Sequence, residues 1–429
     1  MRGISIAAVV VGLASGCYNP GVADCLYQCN SGSCPSGLTC VGNMCTSGAD
    51  CTGSGDGGGG RDATVDSDND HAACGDHLTY AMGELCFHDS VSVQDFDATA
   101  GQAAPQFADW DGDKIADIVM ITEKHVRYWR GEGDGTWDGY QEMPLDDLFQ
   151  RFVADDLNVD GYDDFVFAGP LSYEIYRGTP ASEAQYVATA TTTGDVVGMS
   201  AGRYMDTAAN QPEHSVAIAN MQIVRVVPLD NTLFPLIAHT FTVMTPDRIY
   251  GVATSLSAPL KHVIIGRKDT VSTLDASPPI LSVTDSWAGF TAPLGFNAGD
   301  FDGDGVTDSV EVDAGGNITV TLGKIVSGQH PRLSTTIIGI KTGIAVGNFD
   351  GDAFQDFALV RPVSAAESDV YVFRGASDLS QLVAAEPKPK GGGAFGDWIS
   401  AGDFNGDTID DLILMTQNTG TVNVVLSNP

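Results

Sequence analysis

Basic residues are scarce in this chain. It has 21 Lys and Arg against 56 Asp and Glu among 429 residues, which gives a formal net charge of −35. A field of this sign repels nucleic acid and anionic lipid headgroups, so neither is expected as a partner. Acidic residues scattered over a surface would serve only solubility, but here they are regularly spaced. Regular spacing favours a cation as the partner.

Long apolar segments are missing beyond the N-terminus, so no membrane-spanning helix is expected there. Residues 1–16 have one early charge, Arg2, an apolar run from Ile4 to Leu13, and small residues before Cys17. This pattern is typical of a signal peptide and predicts secretion. The segment resembles a bacterial lipobox, which implies lipidation of Cys17 and a cell-envelope location, anchored to the outer membrane. Because Ala14 stands where leucine is usual, ordinary signal-peptidase cleavage is the alternative.

Cysteine is absent after residue 86. Beyond Cys17 there are eight cysteines, and an even number in an exported chain indicates disulfides, because a short segment without a core needs cross-links. Zinc is the alternative, but no paired CxxC and no nearby histidine pair is present. We therefore expect disulfides, with the pairing open, among Cys25, Cys29, Cys34, Cys40, Cys45, Cys51, Cys74 and Cys86.

Composition divides the chain into segments. Residues 17–52 form the cysteine-rich part that follows the signal peptide, and residues 53–73 are a Gly/Asp/Ser tract expected to be a flexible linker. Residues 74–89 resemble a two-cysteine module that precedes repeats in large secreted bacterial proteins, with His77 where glycine is expected. Over residues 90–429, short alternating apolar runs between Gly/Asp turns predict an all-β region of half-buried strands.

An acidic loop recurs in this all-β region. The loops begin at Asp109, Asp156, Asp300, Asn348 and Asp403, with spacings of 47, 144, 48 and 55 residues. Since 144 is three times 48, two degenerate repeats are predicted near residues 203 and 254. A strand ending in Arg-Gly follows three of the loops by about 20 residues. Seven units of four strands predict a seven-bladed β-propeller with four-stranded blades.

The ends of the repeat region predict how the ring closes. The last unit ends at residue 429 without a fourth strand, while Ser90 to Gln94 precede the first loop and have no blade of their own. An open propeller would expose a long sheet edge, which invites aggregation. We therefore predict that Ser90 to Gln94 pair as the outer strand of the last blade.

Each intact loop has oxygen-bearing side chains at its positions 1, 3, 5 and 9. Positions 1, 3 and 5 should converge on one point, which position 9 reaches from the next strand. Carboxylates this close repel one another unless a cation neutralises them, and an oxygen-only set favours calcium over zinc or copper. About five Ca²⁺ sites are predicted, held by Asp109, Asp111, Asp113, Asp117, Asp156, Asn158, Asp160, Asp164, Asp300, Asp302, Asp304, Asp308, Asn348, Asp350, Asp352, Asp356, Asp403, Asn405, Asp407 and Asp411.

Two other structures use acidic loops. Simple Asp-Gly turns join hairpins, but they do not require five copies of a nine-residue pattern. EF-hand loops need glutamate at position 12, and only the loop at Asp300 has one, Glu311. Strand patterns, not helical ones, flank the loops, so both alternatives are disfavoured.

The sequence resembles FG-GAP/VCBS repeats, the blades of integrin-α-type propellers, over residues ~90–429. The segment GDFNGDTIDDLILMTQNTGTVNVVLSNP follows the repeat pattern, and an aromatic residue occupies position 2 as Trp110, Phe301, Phe349 and Phe404. The resemblance implies calcium loops on one face of a disc, packing of these aromatic residues between blades, and ligand recognition by other loops.

Catalytic motifs are also missing: there is no HExxH, GxSxG, Walker loop or Rossmann fingerprint, and the eight histidines are spread singly. We predict a monomeric, non-catalytic, calcium-binding surface propeller for adhesion or for recognising an extracellular glycan or protein, with membrane contact only through the lipid. The alternatives are a polysaccharide-acting enzyme, a lyase or hydrolase, and a structural envelope protein. Several Arg, His, Tyr or Lys side chains converging on the central channel would indicate the enzyme.

Overall fold

The structure is a computed structural model, and its described residues are 39–41, 44–46, 85, 87, 91–93 and 104–427. The last range has gaps at 123, 181, 193, 208–210, 238–239, 246, 255–262, 278–279, 291–292, 342, 365–366, 378, 381, 386–397 and 417–420. The chain divides into two compact units, Met1–Asp70 and His71–Pro429. No helix in the described part is long and apolar enough to cross a bilayer.

In the first unit, β1 (Thr39–Val41) pairs antiparallel with β2 (Met44–Thr46), and Cys40 lies opposite Cys45 in the backbone register. The signal segment, Cys17, the linker and the six other cysteines lie outside the described residues. Lipidation and disulfide formation therefore remain predictions.

The second unit is all-β and forms seven four-stranded antiparallel sheets, as predicted. Blade 1 contains β4 (Gln106–Ala108), β5 (Asp117–Thr122), β6 (His125–Gly131) and β7 (Trp137–Pro144). Blade 2 contains β8 (Arg151–Asp155), β9 (Asp164–Ala168), β10 (Ser172–Thr179) and β11 (Ser182–Thr191). Blade 3 contains β12 (Val196–Thr207), β13 (Gln211–Asn220), β14 (Ile223–Pro228) and β15 (Phe241–Met244). Blade 4 contains β16 (Ile249–Thr254), β17 (Val263–Arg267), β18 (Thr270–Ser277) and β19 (Ile280–Ala288).

The remaining three blades follow the same order. Blade 5 contains β20 (Pro293–Gly299), β21 (Asp308–Asp313), β22 (Asn317–Thr321) and β23 (Arg332–Thr336). Blade 6 contains β24 (Ile344–Gly347), β25 (Asp356–Ser364), β26 (Glu367–Phe373) and β27 (Ala384–Ala385). Blade 7 contains β28 (Trp398–Gly402), β29 (Asp411–Thr416), β30 (Thr421–Val425) and, as its outer strand, β3 (Val91–Ser92).

The first strands of the blades lie around the axis, and each contacts the next from β8 round to β28 and on to β4. Between β4 and β8, Gln106 Nε2 donates to the Phe152 carbonyl oxygen at 3.1 Å. Each blade is therefore covered on both faces by its neighbours. The second strands β5 and β9 are buried at every residue, whereas the outer strand β23 alternates between exposed and half-buried. The expectation of half-buried alternation was wrong for the second strands, because strands covered on both faces are apolar throughout.

The ring closes through β3, which confirms the predicted closure. Val91 and Ser92 pair antiparallel with Val424 and Asn423 of β30, and the Ser92 hydroxyl donates to Asn423 Oδ1 at 2.7 Å. The Val93 N–H donates to the Val422 carbonyl oxygen at 2.9 Å. Blade 7 therefore joins strands from both ends of the propeller sequence.

The aromatic residue at loop position 2 packs between its own blade and the next, as the resemblance implied. Trp110 is fully buried and contacts the Phe165 ring edge-on, with 4.6 Å between ring centroids. Phe349 and Phe404 lie in the corresponding cores between blades 6 and 7 and between blades 7 and 1. These residues set the spacing between blades.

Blades 3 and 4 are the two degenerate repeats and retain all four strands. The repeat frame is displaced in blade 3, because β12 continues past residue 203 to Thr207 and pairs there with Gln211. Without an acidic loop, the first two strands extend their ladder. The connections at 208–210 and 255–262 lie outside the described residues.

Candidate metal centres on the acidic loops

All five acidic loops connect the first strand of a blade to its second strand. Because the strands of all blades run in the same order, these connections lie on one face of the disc, which we call the acidic face. The loops belong to blades 1, 2, 5, 6 and 7.

The position-1 aspartate folds its own loop. Asp300 Oδ1 accepts the Asp304 N–H at 3.1 Å, and its Oδ2 accepts the Gly305 N–H at 2.9 Å. Asp304 Oδ1 in turn accepts the Val306 N–H at 2.8 Å. These bonds turn the side chains at positions 1, 3 and 5 toward each other.

Two loops bring three carboxylates within 4.8 Å of one another: Asp109, Asp111 and Asp117 in blade 1, and Asp300, Asp302 and Asp304 in blade 5. The other three loops have an asparagine at position 1 or 3, so an amide oxygen takes the place of one carboxylate. Oxygen donors alone, at this separation, suit a hard divalent cation.

Blades 1, 2 and 7 keep a left-handed backbone at loop positions without glycine, whereas Ala353 at position 6 of blade 6 does not adopt it. Position 4 has φ +73° at Gly112 and +62° at Val159, and position 6 has +70° at Lys114 and +75° at Thr408. Left-handed backbone costs a non-glycine residue about 1–2 kcal/mol. Strain of this kind persists where surrounding bonds impose the conformation, here the bonds to the position-1 carboxylate.

Blade 6 differs because asparagine replaces aspartate at position 1. The Asn348 amide donates through Nδ2 to the Asp352 carbonyl oxygen at 2.7 Å, a bond that a carboxylate cannot make. Asn348 Oδ1 is buried and has no hydrogen-bond partner among the described residues. A buried acceptor without a donor costs free energy, so a cation beside Oδ1 would stabilise it.

The position-9 aspartates have a second role that the sequence did not predict. Asp308 is fully buried; its Oδ2 accepts the Phe301 N–H at 2.9 Å and its Oδ1 accepts the Gly323 N–H at 2.8 Å. Asp117, Asp164, Asp356 and Asp411 make the same two bonds, to position 2 and to the end of the third strand. Each of these carboxylates therefore links the second strand of its blade to the acidic loop and to the end of the third strand.

Burial dominates the electrostatics of these five carboxylates. Desolvation raises the pKa of Asp117, Asp164, Asp308, Asp356 and Asp411 to about 7, against the lowering effect of their N–H bonds. Of the five, only Asp117 belongs to a cluster of three carboxylates within 4.8 Å. Each oxygen that accepts one N–H retains a second lone pair, so the linking role is compatible with a cation ligand.

A basic side chain from the end of the third strand faces position 3 where that position is aspartate. Arg130 Nε lies 3.1 Å from Asp111 Oδ2, and Lys324 Nζ contacts Asp302. Arg374 Nε lies 3.5 Å from Asp350 Oδ2. The recurrent Arg-Gly pattern contains Arg130 and Arg374, whereas Lys324 follows the equivalent glycine, Gly323, and no repeat pattern marks it.

Where position 3 is asparagine, the basic side chain is turned away or replaced. In blade 2, next to Asn158, Arg177 donates instead to the Thr232 carbonyl oxygen at 2.6 Å. In blade 7, next to Asn405, the equivalent of the arginine is Leu426. Counting positions 1, 3, 5 and 9 with the paired basic residue, the net formal charge is −3 in blades 1, 2, 5 and 7 and −2 in blade 6.

Position 8 joins neighbouring loops, a role that the sequence reading missed. The Asp109 N–H of blade 1 donates to Asp163 Oδ2 of blade 2 at 2.9 Å, and the Asp300 N–H of blade 5 donates to Gln355 Oε1 of blade 6 at 2.9 Å. At the junction of blades 7 and 1, position 8 is Ala116, which has no acceptor. A cavity of about 680 Å³ lies at that junction, lined by Ala116, Asp109 and Asp403.

Comparisons with known proteins agree with this architecture. Residues 109–167, which include the loops of blades 1 and 2, match the family model of the FG-GAP-like repeat. No curated protein sequence matches the chain significantly. Two similar solved structures are BBS1N in complex with ARL6DN, soaked with lead or with mercury. They have 11% sequence identity, cover 80% of this chain and 97% of theirs, and give TM-scores of 0.57 and 0.56.

At 11% identity these structures establish the fold alone. The repeat match supplies the family of the blade, and the sheet order supplies the number of blades. The chain is a seven-bladed β-propeller that contains a match to the FG-GAP-like repeat at residues 109–167.

Proposed function

We propose that this propeller is a calcium-stabilised recognition module without catalytic activity. The observation that carries the proposal is the residual charge of −2 or −3 on five oxygen-donor loops after their basic partners are counted. Charges this close in a partly buried loop repel strongly, and a divalent cation offsets most of that repulsion. The side chains at positions 1, 3 and 5 would hold the ion in blade 5, and those at positions 1, 3 and 9 would hold it in blade 1.

The test measures calcium content and melting temperature of the purified chain. Millimolar calcium should raise the melting temperature above that in chelator. At tenfold excess over Kd, each occupied site should add about 1.4 kcal/mol to the free energy of unfolding. Magnesium at equal concentration should give a smaller shift, because it prefers a tighter octahedral shell. Equal melting temperatures in calcium and chelator, with no bound calcium, would contradict the proposal.

We propose a protein or glycan as the extracellular ligand. A protein partner is supported by the similar structures, in which BBS1N is in complex with ARL6DN. The enzyme alternative requires several acid, base and electrophilic groups at one point. One cavity in the central channel has only Arg151 and Tyr250 as Arg, His, Tyr or Lys residues among its described lining, which favours recognition over catalysis.

Display on the cell envelope through lipidated Cys17 completes the proposal. The Gly/Asp/Ser linker at residues 53–73 would hold the disc away from the membrane. Cys17→Ala should move the protein from the detergent-extracted membrane fraction to the soluble fraction. Unchanged membrane fractionation of this variant would exclude the anchor without affecting the calcium proposal.

A further inference from the structure

A cavity of about 290 Å³ lies in the central channel. It is lined by the first residues of the inner strands, including Arg151 of β8, Tyr250 of β16 and Trp398 of β28. Because the acidic loops follow the other ends of these strands, the cavity lies toward the opposite face of the disc. Its volume is near the lower limit of small-molecule sites, about 300–1,000 Å³.

Arg151 carries the only charge among the described residues that line this cavity. Its Nη1 donates to the Gln150 carbonyl oxygen at 2.6 Å, and no described carboxylate lies within ion-pair distance. Burial lowers the pKa of Arg151, and no neighbouring charge offsets this effect. In a chain of net charge −35, an arginine with no carboxylate partner among the described residues is an unusual arrangement.

Aromatic side chains from other blades line the same cavity. Tyr250 belongs to blade 4 and Trp398 to blade 7, each two blades away from Arg151 around the ring. Both are half-buried, so part of each ring is accessible from the cavity. The lining thus combines one desolvated cation with four aromatic side chains, because Phe152 and Phe296 also line the cavity. The Arg248 guanidinium lies 5.5 Å from the Tyr250 ring centroid, so Trp398 and Phe296 offer the less occupied aromatic surfaces.

We propose that the channel cavity binds a ring-bearing monocarboxylate, with its carboxylate on Arg151 and its ring against Trp398 and Phe296. A planar guanidinium pairs with a carboxylate through two parallel N–H bonds. One guanidinium neutralises one negative charge, so a phosphate dianion would keep an unpaired charge in a desolvated site. The site is independent of the calcium loops.

The test is calorimetric titration of the full chain with two matched ligand pairs. Glucuronate with glucose, and benzoate with benzyl alcohol, each differ chiefly in the carboxylate, and the two pairs distinguish a sugar acid from an aromatic acid. At least one acid should bind with one site per chain, about tenfold or more tightly than its neutral analogue. Arg151→Gln should weaken that binding by about tenfold or more, and Arg151→Lys by less.

Arg332→Gln is the matched control, because Arg332 is an exposed arginine on the outer strand β23. It should bind the acid as wild type does. If Arg151 had only a structural role, its replacement by lysine or glutamine would lower the melting temperature and leave the affinity for the acid unchanged. Binding of neither acid by wild type, or equal binding by wild type and Arg151→Gln, would overturn the proposal.

Discussion

Asn348 and Asp410 join the acidic loops of blades 6 and 7 in both directions. The Asn348 N–H donates to Asp410 Oδ2 at 2.7 Å, and the Asp410 N–H donates to the Asn348 carbonyl oxygen at 2.9 Å. The first residue of one predicted metal loop is thereby fixed by the eighth position of the next. Neighbouring loops are therefore structurally linked.

Two replacements of Asp410 should distinguish the contribution of its hydrogen bond with Asn348 from the contribution of its carboxylate charge. Asp410→Ala removes the acceptor and leaves the Asn348 N–H without it, so we expect a loss of about 1–3 kcal/mol in the free energy of unfolding. Burial raises the pKa of Asp410, so Asp410→Asn, which keeps an acceptor and removes a buried charge, should be close to wild type. Urea unfolding of both variants in chelator measures the difference. Equal losses would contradict the bond's role.

Positions 3 and 9 of one loop should differ in their dependence on calcium. Asp308 bonds two backbone N–H groups, so Asp308→Ala should lower stability by roughly 3 kcal/mol even in chelator. Asp302→Ala should remove one bound ion and part of the calcium-dependent melting shift, with a smaller change in chelator. Calcium content and melting curves of the two variants test this. Identical behaviour would mean that position 9 has no separate linking role.

Lys324 should act as a competitor for the cation in blade 5. Its ammonium contacts Asp302, so it reduces repulsion in the calcium-free loop and opposes a divalent ion. Lys324→Met should lower the melting temperature in chelator and enlarge the shift on adding calcium. Arg177→Met is the matched control, since Arg177 pairs with no loop carboxylate in blade 2. A reduced calcium shift in Lys324→Met would assign Lys324 a different role.

Glu311 should make stability depend on pH. It is fully buried in β21, where Oε1 accepts the Phe290 N–H at 3.3 Å and Oε2 has no hydrogen-bond partner in the part of the chain that the structure describes. Burial raises the pKa of Glu311 to about 7. Since the folded state holds this proton more tightly, its contribution to stability decreases as pH rises from about 4.5 to about 7 and is constant above.

Glu311→Gln removes that titration. The free energy of unfolding of the variant should exceed that of wild type by about 3 kcal/mol near pH 8, and the difference should vanish near pH 4. Melting temperatures of the two proteins across this range, in chelator, measure the difference. A constant difference across the range would show that Glu311 does not titrate as its burial requires.

The closing strand should contribute more to stability than the linker. Val93 is buried between blades 7 and 1 and donates its N–H to Val422. Val93→Asp, which buries a carboxylate, and deletion of residues 90–94 should each lower the melting temperature clearly. Deletion of residues 53–70 is the control and should have little effect. Equal effects of the two deletions would contradict the importance of closure.

The sequence by itself determined the class of fold, the number of blades and the strand that closes the ring. These follow from local patterns: a repeat near 48 residues, acidic loops at fixed positions, and a strand left over at one end where the other end lacks one. It also located the aromatic residues between blades, because Trp110 and its equivalents recur at one loop position. EF-hands were correctly set aside, since Glu311 lies inside a strand.

Only the tertiary structure decided which residues act across blades and around the axis. The bond from Asp109 to Asp163 joins residues 54 positions apart, and position 8 is Asp, Gln, Thr or Ala in different loops, so no local pattern marks the bond. The same holds for the channel, where Arg151, Tyr250 and Trp398 come from three blades and share no motif. Contacts of this kind depend on how the blades are packed, and side-chain chemistry that is assembled by packing leaves no periodic signal in the chain.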